Sequence, residues 1–183
     1  MGKAVLISIR PEWCELIAGG KKTVELRKNT PRLKPPFKCY IYCSRGDLSY
    51  SVNGTRHNIN GGRVVIGEFI CDTFYAYLNG RPISPVVNPR EIERQAWLSP
   101  FQVWRYEPKG NPVGWHISNL VMYDRPRHLW EFRKACENDL DCESCAMFCN
   151  YYGICRNPAL KIIHPPQSWC YVAELEGGAA NGV

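Results

Sequence analysis

The sequence predicts a mainly β, α+β protein: a small, partly closed β-barrel with short helices packed at its ends. Three observations lead there. About six short runs are rich in β-branched and aromatic residues. Gly, Pro and Asn clusters punctuate them at close intervals. Only two or three stretches, none long, show helical spacing of apolar residues.

The elements follow in order. "AVLISI" (4–9) reads as a buried strand. A short helix follows, with Pro11 in its first turn, Glu12 at its positive end and Gly19-Gly20 as its stop. Trp13, Leu16 and Ile17 lie i, i+3, i+4 and form one apolar face. "TVELRK" (23–28) alternates as a strand does, and "KCYIYCS" (38–44) is a further strand. Residues 45–62 are rich in Gly, Ser and Asn, which fits a long mobile loop or a polar hairpin. Residues 63–78 form one long or bent strand, with Gly67 the candidate bulge. "NGRPISPVVNP" breaks the chain before a helix at 90–99. A strand at 114–124 stops before a proline, 127–136 is helical, 167–175 is the last strand, and 176–183 is a frayed tail. The domain reading is a barrel from 1–135 and 165–175, interrupted by a Cys-rich insertion at 136–160.

Composition narrows the function classes. Apolar residues make up 45% and charged residues 22%, ordinary values for a soluble chain large enough to bury a core. Apolar runs are too short for a membrane span. "MGKAVLISIRPEW" has no apolar signal core, so the cytoplasm is the expected location. The net charge of +6 permits a nucleic-acid partner without requiring one.

The densest charge pattern is "GGKKTVELRK" (19–28). Glu25 stands between Lys22 and Arg27, and it shares the strand face opposite Val24 and Leu26. A carboxylate held between two cations can orient them, or exchange protons if its environment shifts it. The expected arrangement has Val24 and Leu26 facing the barrel and the charges lining a polar cleft. Ser8 and Arg10, of equal parity on the first strand, are candidates for the same cleft, and Trp115 for its aromatic wall. Trp13 and Trp169 read as packed residues, and His116 as a structural one. A surface ion-pair cluster at a strand edge is the alternative.

G-x-K-x-x-E-x-R, here Gly20, Lys22, Glu25 and Arg27, resembles the signature of the ASCH domain, a PUA-like β-barrel. The opening "LISIRPEWCELIAGGKKTVELRK", "VVIGEFICD" and "WHISNLVMYDRP" resemble successive segments of that family, most like its bacterial and prophage forms. The resemblance implies binding of RNA or a modified nucleoside in a cleft between the first helix and the barrel. Small relatives that deacetylate N4-acetylcytidine carry Thr where this chain has Glu25, which argues against that reaction. Other relatives are linked to RNA cleavage, so a hydrolase using Lys22 and Glu25 is the second reading. A protein-interaction module of a prophage or regulatory complex is the third.

Five of ten cysteines crowd into residues 136–155. Cys142-x2-Cys145 has the spacing of a knuckle that presents two thiolates to one tetrahedral ion. In a reducing compartment such a cluster reads as structural zinc before disulfides, iron–sulfur ligation or free thiols. The family resemblance favours Cys136, Cys142, Cys145 and Cys155 as the ligands, with Cys149 as alternate. Cys14, Cys39, Cys43, Cys71 and Cys170 fall in apolar contexts and read as small core residues.

Overall fold

The computed structural model describes residues 2–108, 110–135 and 160–175. The candidate zinc ligands Cys136, Cys142, Cys145 and Cys155 lie outside these residues, as does the tail.

Strand β1 (Lys3–Ile9) leads into helix α1 (Pro11–Ala18) and strand β2 (Val24–Arg27). Strand β3 (Phe37–Cys43) is followed by the hairpin β4 (Leu48–Val52) and β5 (Thr55–Ile59). Strand β6 (Val64–Leu78) turns into β7 (Arg81–Ile83). Helices α2 (Pro89–Ala96) and α3 (Pro100–Tyr106) precede strand β8 (Val113–His128), and β9 (Trp169–Ala173) closes the described chain. Seven strands form one sheet in the order β2-β8-β6-β3-β1-β9, with β7 attached to β6. The sheet curls into a half-barrel whose end strands, β2 and β9, do not pair. Among the described strands only β1 and β3 run parallel; the intervening α1–β2 crossover makes that possible.

Three apolar clusters hold this arrangement. The largest fills the inner face of the curl with Val5, Ile7, Ile9, Cys39, Ile41, Phe69 and Trp115, capped by Cys14 and Ile17 of α1. The alternate residues Ala4, Leu6, Tyr40 and Tyr42 pack outward against Phe132 and Ile162. The third cluster joins Val24 and Leu26 to Tyr75, Tyr77, Ile92, Ala96 and Val103. The apolar side of β2 therefore faces α2 and α3, not the barrel interior. Strands β1, β2 and β3 are buried on both faces, the usual case for strands covered from two sides.

Some local expectations are met and others corrected. Residues 45–62 form the polar hairpin, and Asn53-Gly54 turns it with φ of 50° and 79°, the left-handed pair a tight hairpin needs. Asn79-Gly80, read as a chain break, is a second such turn (φ 50° and 76°) that joins β6 to β7. Ser99-Pro100 starts α3 with a capping box between Ser99 and Gln102. The helix expected at 127–136 is a single 3-10 turn, Leu129–Glu131, because β8 continues to His128. Pro126 does not stop β8. It falls where the register jumps between Val65↔Arg127 and Gly67↔Met122, so no ladder N–H is lost. The bulge at Gly67 is present: a Cβ there would stand 2.5 Å from the Val121 carbonyl.

Chain segments on either side of residues 136–159 lie together. Lys134 N–H donates to Leu160 O at 2.8 Å, and Arg133 bridges Lys161.

Candidate functional site

Lys22, Glu25 and Arg27 form one buried cluster. Glu25 pairs in register with Trp115 of β8, and residues opposed across an antiparallel pair share a face. Trp115 belongs to the inner core. The charged side of β2 thus points into the half-barrel. The three side chains retain only 1%, 5% and 8% exposure, so this is not a solvated ion-pair cluster at a strand edge.

Geometry accounts for most of their polar atoms. Lys22 Nζ donates to Val24 O at 2.8 Å and Ala96 O at 2.6 Å, and lies 3.4 Å from Glu25 Oε2. Its position is set by the turn after α1, where Lys22 N–H donates to Leu16 O. Arg27 Nη1 stands 3.1 Å from Glu25 Oε1, and Arg27 Nη2 donates to Ser8 O at 2.7 Å. The cluster carries two cations and one carboxylate, a net positive charge inside an apolar shell. Burial pushes the Lys22 ammonium below the ordinary lysine value, and the Glu25 carboxylate offsets this only in part.

Two N–H donors beside this cluster are buried without a partner among the described residues: Arg27 Nε and Trp115 Nε1. Buried donors of this kind are rare in folded proteins. Trp115 is fully buried, edge-on to Phe37 and 6.0 Å from the Trp169 ring. The Trp13 ring lies 5.2 Å from Lys22 Nζ, within cation–π range. Trp13 and Trp169 are both only partly buried where they meet the inner core. They are the residues that sequence reasoning assigned to packing. The position of α1 brings Trp13 to the charges, and the pairing of β9 with β1 brings Trp169 against Trp115.

The remaining candidates separate. Ser8 shares parity with Ala4 and Leu6, on the outward face, and donates to Pro166 O at 2.6 Å. Its backbone oxygen, not its hydroxyl, meets Arg27. Arg10 is exposed at the start of α1 and reaches Glu12 at 3.9 Å. Neither lines a common cleft with the charged cluster. Trp115 does share the cluster's face, but as an inner wall without exposed surface. His116 points away from Trp115 and pairs with Asp72 at 2.6 Å. Burial raises Asp72, but hydrogen bonds from His116 and Ser118 outweigh it and hold the carboxyl below its usual range.

Among the described residues, no group of three or more His, Cys, Asp or Glu side chains is placed to hold a metal ion. Cys14, Cys39, Cys43 and Cys71 are buried free thiols, and Cys170 is partly buried. No described helix is long and apolar enough to cross a membrane.

Residues 7–69 match the family model of the ASCH domain. That span includes Lys22, Glu25 and Arg27 and excludes Trp115. No curated protein matches the chain by sequence. Among solved structures, the ASCH protein from Zymomonas mobilis aligns at 21% identity with a TM-score of 0.54, covering 93% of this chain and 88% of that one. Two single-residue variants of the same Zymomonas mobilis protein align at 19% and 20% identity, with TM-scores of 0.57 and 0.52. These alignments cover 93% of this chain and 89% and 91% of theirs. At such identity the likeness establishes the fold. Residues 7–69 are thus similar to the ASCH domain, and the surrounding fold is similar to that of the Zymomonas mobilis ASCH protein.

Proposed function

We propose that this protein binds RNA or a modified nucleoside at the end of the half-barrel where Trp13 and Trp169 stand beside Lys22, Glu25 and Arg27. ASCH domains are generally proposed to bind RNA, and the match over residues 7–69 supports that reading here. The observation that carries it is the pair of unpartnered buried donors, Arg27 Nε and Trp115 Nε1, next to a net cationic cluster. Base carbonyls, ring nitrogens and phosphate oxygens all accept from such donors, and half-buried indoles offer faces on which a base stacks. A positive buried cluster favours an anionic or acceptor-rich ligand.

Binding fits the geometry better than hydrolysis. Lys22 commits its three donors to Val24 O, Ala96 O and Glu25, which leaves no lone pair or free N–H for a substrate. Glu25 is held from both sides by cations. The cysteine spacing in 136–155 supports a structural zinc on Cys136, Cys142, Cys145 and Cys155, and metal analysis of the purified protein is its direct check. One zinc per chain, lost in Cys142→Ser, is the expected result.

Fluorescence anisotropy with labelled single-stranded RNA across a salt series tests the binding site. Wild type is expected to bind with affinity that falls as salt rises. Trp13→Ala and Arg27→Gln, each checked for native circular dichroism, are expected to lower affinity about tenfold or more. Affinity unaffected by either change would place the ligand elsewhere. Turnover of the RNA that disappears in Glu25→Gln while binding survives would replace binding by catalysis.

A further inference from the structure

Most of the large apolar side chains left exposed among the described residues lie between 78 and 106. Phe101 and Trp104, at 65% and 52% exposure, are the most exposed aromatic residues among them. Both sit on α3, their rings stacked at 28° with centroids 6.0 Å apart. The inner side of the same helix is already satisfied, because Val103 is buried against Val24, Leu26 and Ile92. The aromatic pair therefore contributes nothing to the core. Apolar patches that remain exposed on a folded chain mark interaction surfaces.

Charge indicates the partner. Arg105 follows Trp104 and is exposed. Arg81 is exposed immediately after Gly80, whose Cα comes so near α3 that an added Cβ would lie 3.6 Å from Trp104 Cβ. Neither arginine has an ion pair among the described residues, whereas Arg94 and Lys28 are occupied by Glu91 and Glu107. A stacked aromatic pair flanked by uncommitted guanidinium groups suits bases together with backbone phosphates. Position links this surface to the site inside the half-barrel. The α2–α3 unit contacts both ends of β2, through Ala96 O to Lys22 Nζ at 2.6 Å and Glu107 to Lys28 at 2.8 Å.

We propose that Phe101 and Trp104, with Arg81 and Arg105, bind a second stretch of a single-stranded RNA whose end occupies the site at Trp13, Lys22 and Arg27. The proposal rests on the RNA-binding reading above. It adds a stacking platform outside the half-barrel and a preference for longer single strands over nucleosides.

The test compares anisotropy titrations with RNA of about 3 and about 12 nucleotides, because stacking platforms add affinity only for strands that reach them. Phe101→Ala/Trp104→Ala is expected to weaken binding of the longer strand about tenfold or more and to leave the short one unchanged. Arg81→Gln/Arg105→Gln is expected to lower the salt slope for the longer strand by roughly 1 per phosphate contact. These arginines are exposed, so that variant remains informative if the aromatic one does not fold. Wild-type binding of the longer strand that neither variant alters would overturn the platform and leave the inner site standing. Sedimentation showing that the aromatic variant dissociates a self-associated protein, with RNA affinity intact, would instead make the surface an interface between copies. Failure of wild type to bind either strand would overturn the inner site and the platform together.

Discussion

Glu25 is the single counter-charge for two buried cations. Removing it as Glu25→Ala strands Lys22 and Arg27 in the interior, which costs about 3–5 kcal/mol of stability. Lys22→Met costs less, because Glu25 keeps its contact with Arg27 at 3.1 Å. Urea unfolding of the two variants compares these costs directly, and equal losses would contradict the ion-pair account. At this scale the sequence was half legible. The spacing of Lys22, Glu25 and Arg27 identified one cluster on one strand face. Their burial was not legible, because alternation along a strand shows that two faces differ, not which one is inside. Ser8 shows the same limit: parity grouped it with the charges, but β1 and β2 sit at different places in the curl and Ser8 faces outward.

Elements were read with most success where turns and apolar runs agreed, as in β1, β3 and the bulged β6. Short elements escaped. Helix α3 has seven residues, and the sequence reading ends the preceding helix at Ser99, although Ser99-Pro100 is a strong helix start. "RHLWEFRK" has helical spacing, yet pairing of β8 with β6 through Arg127 and His128 takes precedence. Tertiary hydrogen bonding decided the outcome there, not local propensity. The reversed orientation of β2 carries a prediction about elements. Leu26 anchors α2 and α3, so Leu26→Ala should destabilise the protein by about 2–5 kcal/mol. Amide exchange should rise first in α2, before β1 and β3. Exchange that rises first in β1 and β3 would mean that Leu26 faces the inner core after all. Gly67→Ala should cost about 1–3 kcal/mol, since its Cβ would meet backbone at the bulge rather than a side chain that can move.

Across the whole molecule, the curled sheet was legible as a mainly β chain, but its strand order was not, because pairing partners up to a hundred and more residues apart leave no local mark. One property of the assembled core is its dependence on pH. Burial raises Cys71 to about 12 and Cys170 to about 11, and raises Cys14 and Cys39 as well. It also raises Tyr77 and Tyr123. The folded chain keeps these protons above the pH at which the unfolded chain releases them. Their stabilisation is therefore complete below about pH 9 and is lost progressively as pH climbs toward these raised values. Lys22 and Cys43 act in the opposite sense, since their folded-state values are lowered, but they are two groups against these six. Denaturant midpoints at neutral and alkaline pH should fall steadily above about pH 9. A midpoint constant into the alkaline range would contradict the packing described for these side chains.

A ligand that enters the half-barrel beside the charged cluster must pass the indoles around it. Six tryptophans give six indole N–H signals in a nitrogen-15 NMR spectrum. Titration with a short RNA, too small to reach α3, is the measurement that tests this most directly. Large shifts are expected for Trp13, Trp115 and Trp169, with Trp115 Nε1 gaining a hydrogen-bond partner, and little change at Trp97, Trp104 and Trp130. Shifts confined to the outer three, or none in any of the six, would contradict binding inside the half-barrel.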